Sequence, residues 1–163
     1  MAKREIVYVI GPSIAYVPLT RGLFAVIDLE DVPVICSRPW YAIPANHCTY
    51  AACSVGGKTV SMHRFLMGTE HNGQYDHRNL HGLDNRRDNL RPATVMLNQM
   101  NTRRRVDNSS GFKGVYKSGS RWRSRIQFGK KYFDLGHFAT PEQAHEAYMK
   151  KAREYAGEFA NAG

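Results

Sequence analysis

Between Tyr75 and Asn101 the chain reads YDHRNLHGLDNRRDNLRPATVMLNQMN, a stretch dense in carboxylates, imidazoles, amides and guanidiniums and poor in large apolar residues. Such a composition supplies chemistry rather than core. Asp76 and Asn98 offer hard oxygen ligands, which suit Mg²⁺ or Mn²⁺ far better than a thiolate-loving metal. His77 adjoins Asp76, and an imidazole with an ordinary pKa of about 6.5 can take a proton from water near neutral pH. A divalent ion that polarises a phosphate and stabilises a leaving 3′ oxygen would complete the parts of a phosphodiesterase. One condition attaches: successive strand residues point to opposite faces, so Asp76 and His77 can flank one phosphate only if the strand end twists.

The elements that must hold these residues are short. Asp76-His77 closes an extended run, His81-Gly82 and Asp84-Asn85 are turn formers, and Asn89-Leu90-Arg91 reads as the return strand of a loose hairpin. Pro92 stops that strand and Thr94 is an N-cap. Val95, Met96, Leu97 and Met100 then give a mostly apolar helical turn or two, to about Arg103.

The string DHRNLHGLDNRRDNLR followed by T-x-x-x-N resembles the HNH nucleases, in the phage and intron homing variant whose third motif position is Asn. The resemblance implies a ββα-metal finger with Asp76 and Asn98 as metal ligands, His77 as general base and Asn89 orienting the His77 ring. Met62 to Gly68, MHRFLMG, is similar to the lead-in such proteins carry, so His63 and Arg64 are candidates to touch phosphate, with a structural role as the alternative. Arg86, Arg87 and Arg103 are further phosphate candidates. Arg78 and Leu80 stand where relatives often carry polar or acidic residues, but none of the four implied site positions is changed. Asn101 is a weaker ligand candidate and His81 a turn residue. The competing reading is an Asn/Asp-rich solvated loop over a structural helix; the joint spacing of D-H, N-L-R and T-x-x-x-N argues against it.

The chain has 163 residues and a net charge of +9, with a pI of about 9.7, which points to a polyanionic partner. The charge is uneven: residues 1–75 carry +1 and residues 76–163 carry +8. Three cysteines, Cys36, Cys48 and Cys53, form no C-x-x-C pair, which counts against a disulfide framework or a zinc ribbon; a His47, Cys48 and Cys53 site has weak spacing support. The opening MAKREIVYVIGPSIAYVPL has the basic and apolar order of a signal peptide, but Glu5 and Gly11-Pro12 break it. No stretch approaches the roughly 20 apolar residues of a spanning helix. The expectation is a soluble cytoplasmic protein, in the host cytoplasm if phage-encoded, with no membrane partner.

Residues 1–60 read as short β segments at Ile6 to Ile10, Ile14 to Pro18, Leu23 to Ile27, Trp40-Tyr41, Tyr50 to Val55 and Thr59 to Met62, separated by turns at Gly11-Pro12, Arg21-Gly22, Pro44-Ala45-Asn46 and Gly56-Gly57. After the helix, Arg103, Arg104 and Arg105 lead into Asn-Ser-Ser-Gly, a linker able to lie along a phosphate backbone. Three strands follow, at Gly114 to Lys117, Arg121 to Phe128 and Lys131 to Phe138. In RWRSRIQF the period is two: Arg121, Arg123, Arg125 and Gln127 face one way, Trp122, Ser124, Ile126 and Phe128 the other. Thr140-Pro141 opens a helix capped by Thr140 and Gln143, and Gly157 closes it. Its Ala144, Ala147, Tyr148, Ala152 and Tyr155 face should cover the apolar side of the sheet.

This last segment, from SGFKGVYK to the C-terminal helix, resembles the plant ethylene-response-factor type of DNA-binding domain, also called Apetala-two. The resemblance implies a sheet lying in the major groove, with Lys113, Tyr116, Arg121, Arg123, Arg125 and Lys131 as contacts and Arg favoured for guanine. The sheet-face tryptophan of the plant domains is replaced by Asp134.

The expected fold class is α+β. A β-rich segment (1–60) precedes a ββα-metal finger (61–104), a basic linker (105–111), and a three-stranded antiparallel sheet packed on a C-terminal helix (112–163). The expected activity is site-specific homing cleavage of double-stranded DNA with one Mg²⁺ or Mn²⁺, by a monomer or weak dimer that nicks one strand per site. The alternative is a DNA-binding regulator with an inactive HNH scaffold. An RNA-binding role draws little support, since no base-stacking platform is evident.

Overall fold

The computed structural model describes residues 7–8, 13–45, 48–68 and 74–163, with backbone alone for 7–8. The expected Gly11-Pro12 turn, the ends of the first β segment, Asn46 and His47 lie outside the described residues. Among those residues no helix is long and apolar enough to cross a membrane. The chain is mixed α and β, with small antiparallel sheets and a long C-terminal helix. It divides into two compact units, Met1–Ala93 and Thr94–Gly163. The division falls inside the segment 61–104 that the sequence groups as one finger.

In the first unit β1 (Val7–Tyr8), β2 (Ile14–Pro18) and β3 (Phe24–Asp28) form one antiparallel sheet, and β4 (Tyr41–Ala45), β5 (Cys48–Val55) and β6 (Lys58–Ser61) another. Alternate residues of β2 and β3 turn inward, so Ala15, Val17, Ala25 and Ile27 join Trp40, Ala42, Ala51, Cys53 and Met62 in a single core. Trp40 can be buried there because its indole N–H donates to the Ile35 carbonyl at 2.8 Å. Two short helices, α1 (Val32–Ile35) and α2 (Met62–Met67), stand where the sequence suggests no helix. Pro33 fits the first turn of α1, where no N–H is needed. Met62, expected to end a strand, instead begins α2 and is fully buried.

The hairpin strands β7 (Tyr75–His77) and β8 (Leu90–Pro92) pair Asp76 opposite Arg91 and His77 opposite Leu90. The loop between them has little regular structure and is attached to the first sheet. Val26 N–H donates to the Leu83 carbonyl and Asn85 N–H to the Val26 carbonyl, both at 2.8 Å. Leu83 enters the core, and Gly82 passes so close to β5 that a Cβ there would lie 2.5 Å from Cys48 Sγ and 2.7 Å from the Thr49 carbonyl.

In the second unit α3 (Val95–Met100) begins at Thr94, whose hydroxyl accepts from Leu97 N–H at 3.2 Å. It stops at Met100, short of Arg103. Its end is held by Lys113, whose Nζ donates to the carbonyls of Met100, Thr102 and Asn161 at 2.8, 2.9 and 3.4 Å. Burial pushes the Lys113 pKa down to about 8 while three carbonyls favour its charged form. Expected on a DNA surface, Lys113 is thus engaged as a structural tie. Asn101 is buried and accepts from Asn161 Nδ2 at 2.9 Å.

β9 (Val115–Ser118), β10 (Arg121–Phe128) and β11 (Lys131–Phe138) form an antiparallel sheet with β10 central. α4 (Pro141–Ala156) buries Ala144, Tyr148, Met149, Ala152 and Ala156. Gly114, at φ +74, admits Tyr148: a Cβ there would sit 2.8 Å from the Arg125 carbonyl and closer still to the tyrosine ring. One feature has no trace in the two-residue period. The β10–β11 register shifts at Ser124/Arg125 and skips Leu135, so Phe133 and Phe138 share the inner face despite their odd spacing.

Leu83→Ala should destabilise the first unit by about 2–5 kcal/mol, the usual cost of truncating a buried leucine, read as a lowered urea midpoint. Lys113→Met should cost about 1.5–3 kcal/mol, the range for hydrogen bonds to charged groups, seen in thermal melts of the full chain.

Candidate active site and cationic sheet face

His77 is buried at the end of β7. Its ring lies 5.0 Å from that of His63, nearly perpendicular at 87°, and 5.7 Å from that of Tyr50. Nε2 faces Asn85 Oδ1 at 3.5 Å. An amide oxygen only accepts, so this contact favours the tautomer that carries its proton on Nε2. Burial lowers the His77 pKa despite the raising effects of Asn85 and Asp84. His63 donates to or accepts from Ser61 Oγ through Nε2 at 3.1 Å. Its pKa falls to about 3, first through burial and then through His77 and Arg64. Both imidazoles are therefore neutral at pH 7.

Asn89, expected to orient the His77 ring, has both ends of its carboxamide in the loop. Oδ1 accepts from Asn79 N–H at 3.0 Å and Nδ2 donates to the Asp84 carbonyl at 2.7 Å. The ring's amide partner is Asn85, a residue the sequence marks only as a turn former. Asn89 acts on the ring through the loop: it fixes Asp84, and Asp84 precedes Asn85. Asp84 is the hub. Its carboxylate accepts from Asn79 Nδ2 at 2.8 Å and from Arg86 Nε and Nη2 at 2.8 and 2.7 Å. Burial alone would raise the Asp84 pKa, but Arg86 and Asn79 outweigh it and the net shift is downward.

The arginines of this region are largely committed. Asp76 and Arg91, both buried, form an ion pair in which Asp76 Oδ2 accepts from Nε at 2.9 Å and Nη2 at 2.8 Å. Arg87 Nη2 reaches Asp31 at 2.5 Å, and Arg87 N–H reaches Asp28 at 2.7 Å. Arg86 and Arg87, expected on phosphate, thus brace the loop, whereas Arg64 is exposed. Asn98 lies on α3 in the second unit.

The donor chemistry near His77 fits a phosphate with a hard cation. Asp76 supplies a carboxylate, held by Arg91 as ligating carboxylates commonly are. Asn85 Nδ2 and His63 Nδ1 lie buried without a hydrogen-bond partner among the described residues, and such orphans suit polar ligand atoms. The described residues hold no group of three or more His, Cys, Asp or Glu able to cage a metal. Cys36, Cys48 and Cys53 are free thiols, exposed, half-buried and buried in turn.

The outer face of the second unit's sheet carries Tyr116, Arg121, Arg123, Arg125, Gln127, Tyr132 and His137. Arg121, Arg125 and Lys131 are exposed, as are Tyr116 at 53% and Tyr132 at 75%. A shallow groove of about 360 Å³ runs between Tyr116, Arg125, Gln127 and Tyr132. Arg123 is paired with Asp134. Trp122 is half-buried on the inner side, covered by Lys117 Nζ at 4.4 Å from the ring centre. Arg103, Arg104 and Arg105 are exposed, with Arg105 paired to Asp107 at 2.8 Å and Arg104 Nη1 on the Asn108 carbonyl at 3.2 Å.

Over 147 residues, 86% of its length, the chain is 29% identical to an uncharacterized HNH endonuclease of Acanthamoeba polyphaga mimivirus, covering 74% of that protein. No protein-family model matches the chain, and no solved structure matches it.

The buried neutral histidines give stability a sign with pH. The unfolded chain protonates its histidines near pH 6.5, whereas His63 resists protonation until about pH 3. Stability is therefore full above pH ~6.5 and drains as the pH falls toward 3. Urea midpoints at pH 7 and pH 5 should differ in wild type and differ less in His63→Phe; an undiminished gap would assign the effect to other groups.

Proposed function

We propose that this chain is an HNH-type DNA endonuclease that hydrolyses a phosphodiester with His77 as general base. The observation that carries the reading is the setting of His77: its Nε2 faces the Asn85 amide oxygen, and burial lowers its pKa and favours the neutral ring that a base requires. The similarity to a protein named an HNH endonuclease supports it. The neutral imidazole would take a proton from water as the water oxygen bonds to phosphorus, and the P–O3′ bond breaks with the 3′ oxygen taking a proton from solvent, giving 5′-phosphate and 3′-hydroxyl ends. A bound Mg²⁺ or Mn²⁺ supplies charge stabilisation at the phosphate and the leaving oxygen, with Asp76 and, on the sequence pattern, Asn98 as the residues that would hold it. Arg91 keeps the Asp76 carboxylate oriented, and Asn89 positions the loop that carries Asn85.

The second unit would grip double-stranded DNA with its sheet in the manner of an Apetala-two domain. Exposed arginines and tyrosines line that face, and the +7 charge of residues 94–163 favours a polyanion. One active site per chain makes a nick in one strand the expected product of a monomer, acting at homing sites in the host cytoplasm. A second reading, a DNA-binding regulator with an inert hairpin, draws on the buried Asp76–Arg91 pair, which satisfies the carboxylate without a ligand.

Supercoiled plasmid incubated with wild type and His77→Ala, in Mg²⁺, Mn²⁺ or chelator, tests both. Nicked circles should require metal and fall about 10²–10⁴-fold in the variant, the usual loss for a general base. Plasmid shifted in a gel by both proteins but left intact in every metal would favour the regulator.

A further inference from the structure

We propose that Asp134 is a specificity-determining residue of the cationic sheet face, clamping the Arg123 guanidinium so that its free edge reads guanine in a DNA major groove. This rests on the DNA-binding reading of that face. Between Val115 and Phe138 the sequence has six lysines and arginines and a single acid, Asp134. The fold does not leave that acid at an edge. The register shift that skips Leu135 keeps both Asp134 and His137 outward, opposite Arg125 and Arg123 respectively, so Asp134 sits diagonally across from Arg123. Bulges are placed where a side chain must be re-aimed.

The contact is fork to fork. Arg123 Nε and Nη2 both donate to the Asp134 carboxylate, while Asp134 Oδ1 also accepts from Gly136 N–H at 3.3 Å, at a glycine whose φ of +104 few other residues adopt. The carboxylate is thus fixed by the backbone and in turn fixes the guanidinium. Hydrogen bonding to Arg123, aided by Gly136, holds its pKa at about 2, so it remains ionised wherever the protein works. Exposed ion pairs contribute little to stability because solvent screens them, so folding gives a weak reason for a lone acid here.

Recognition gives a stronger one. With Nε and one side of Nη2 engaged, the Nη1–Nη2 edge points away from the carboxylate as a planar pair of donors, which matches guanine O6 and N7. Clamping removes rotamer freedom before binding, so less is lost on contact. The same carboxylate repels phosphate and penalises misplaced backbones. Affinity for any DNA is reduced and discrimination between sequences increased, the signature of selectivity by repulsion.

The test uses the full chain, in chelator to prevent strand scission, against a pool of duplex oligonucleotides with a randomised core. Wild type, Asp134→Asn, Arg121→Ala, Arg123→Ala and Arg125→Ala are compared by recovered consensus and by affinity for random duplex, with thermal melts confirming folded protein. Asp134→Asn should bind random duplex several-fold more tightly and lose guanine preference at the one position that Arg123→Ala also flattens, keeping the rest. An unchanged consensus with uniformly raised affinity would reduce Asp134 to a contributor to net charge and overturn the proposal. If Arg125→Ala and Arg121→Ala bind random duplex as wild type does, the face is not a DNA surface, and the underlying reading falls with it.

Discussion

The first unit depends on two backbone hydrogen bonds at Val26. The loop from Arg78 to Arg86 carries little regular structure, and a loop of that kind is ordinarily solvated and mobile. Here Val26 donates to Leu83 and accepts from Asn85, so that β3 acquires a short parallel bridge to the loop. Leu83 enters the core on one side of Asp84, and Asn85 turns to His77 on the other. The polar network follows from that attachment. Asp84 gathers Asn79 and Arg86, and Asn89 closes the loop across Asn79 and Asp84. Without the clip at Val26 the cost of burying Asn85 entirely, with Nδ2 lacking a partner among the described residues, would push it to solvent. The His77 ring would then lose its amide partner.

Charge is managed differently in the two units. Around the hairpin, Arg86, Arg87 and Arg91 each face a carboxylate, from Asp84, Asp31 and Asp76. These guanidiniums act as braces, and the cationic count of the motif overstates what is available to a phosphate. On the sheet the reverse holds. Arg121 and Arg125 stand exposed, and one acid among them meets one arginine.

Local chemistry was the legible part. The strands at 121–128 and 131–138, the Thr94 and Thr140 caps and the alternation in RWRSRIQF follow from short-range propensity, and the structure has them at the expected residues. Pairings between distant segments were not legible. That Lys113 closes on the Met100 and Asn161 carbonyls depends on where two remote chain segments meet, and no periodicity encodes it. Asn85 and Asn89 differ in role because of a strand nearly sixty residues away at Val26. Helix α2 escaped because MHRFLM has no N-cap bond of its own and is set by burial of Met62.

The two Asp–Arg pairs, Asp84–Arg86 and Asp134–Arg123, show that one chemistry serves two ends according to its surroundings. Asp84 is buried, so its carboxylate must be satisfied on every side, and losing any donor would leave a desolvated charge. Its pair therefore locks backbone, and through Asn85 it holds the His77 ring. Asp134 is exposed, with water ready to replace any partner. Its pair adds little to folding and instead restricts one guanidinium to one orientation. Burial converts an ion pair into architecture. Exposure leaves the pair open to a third party.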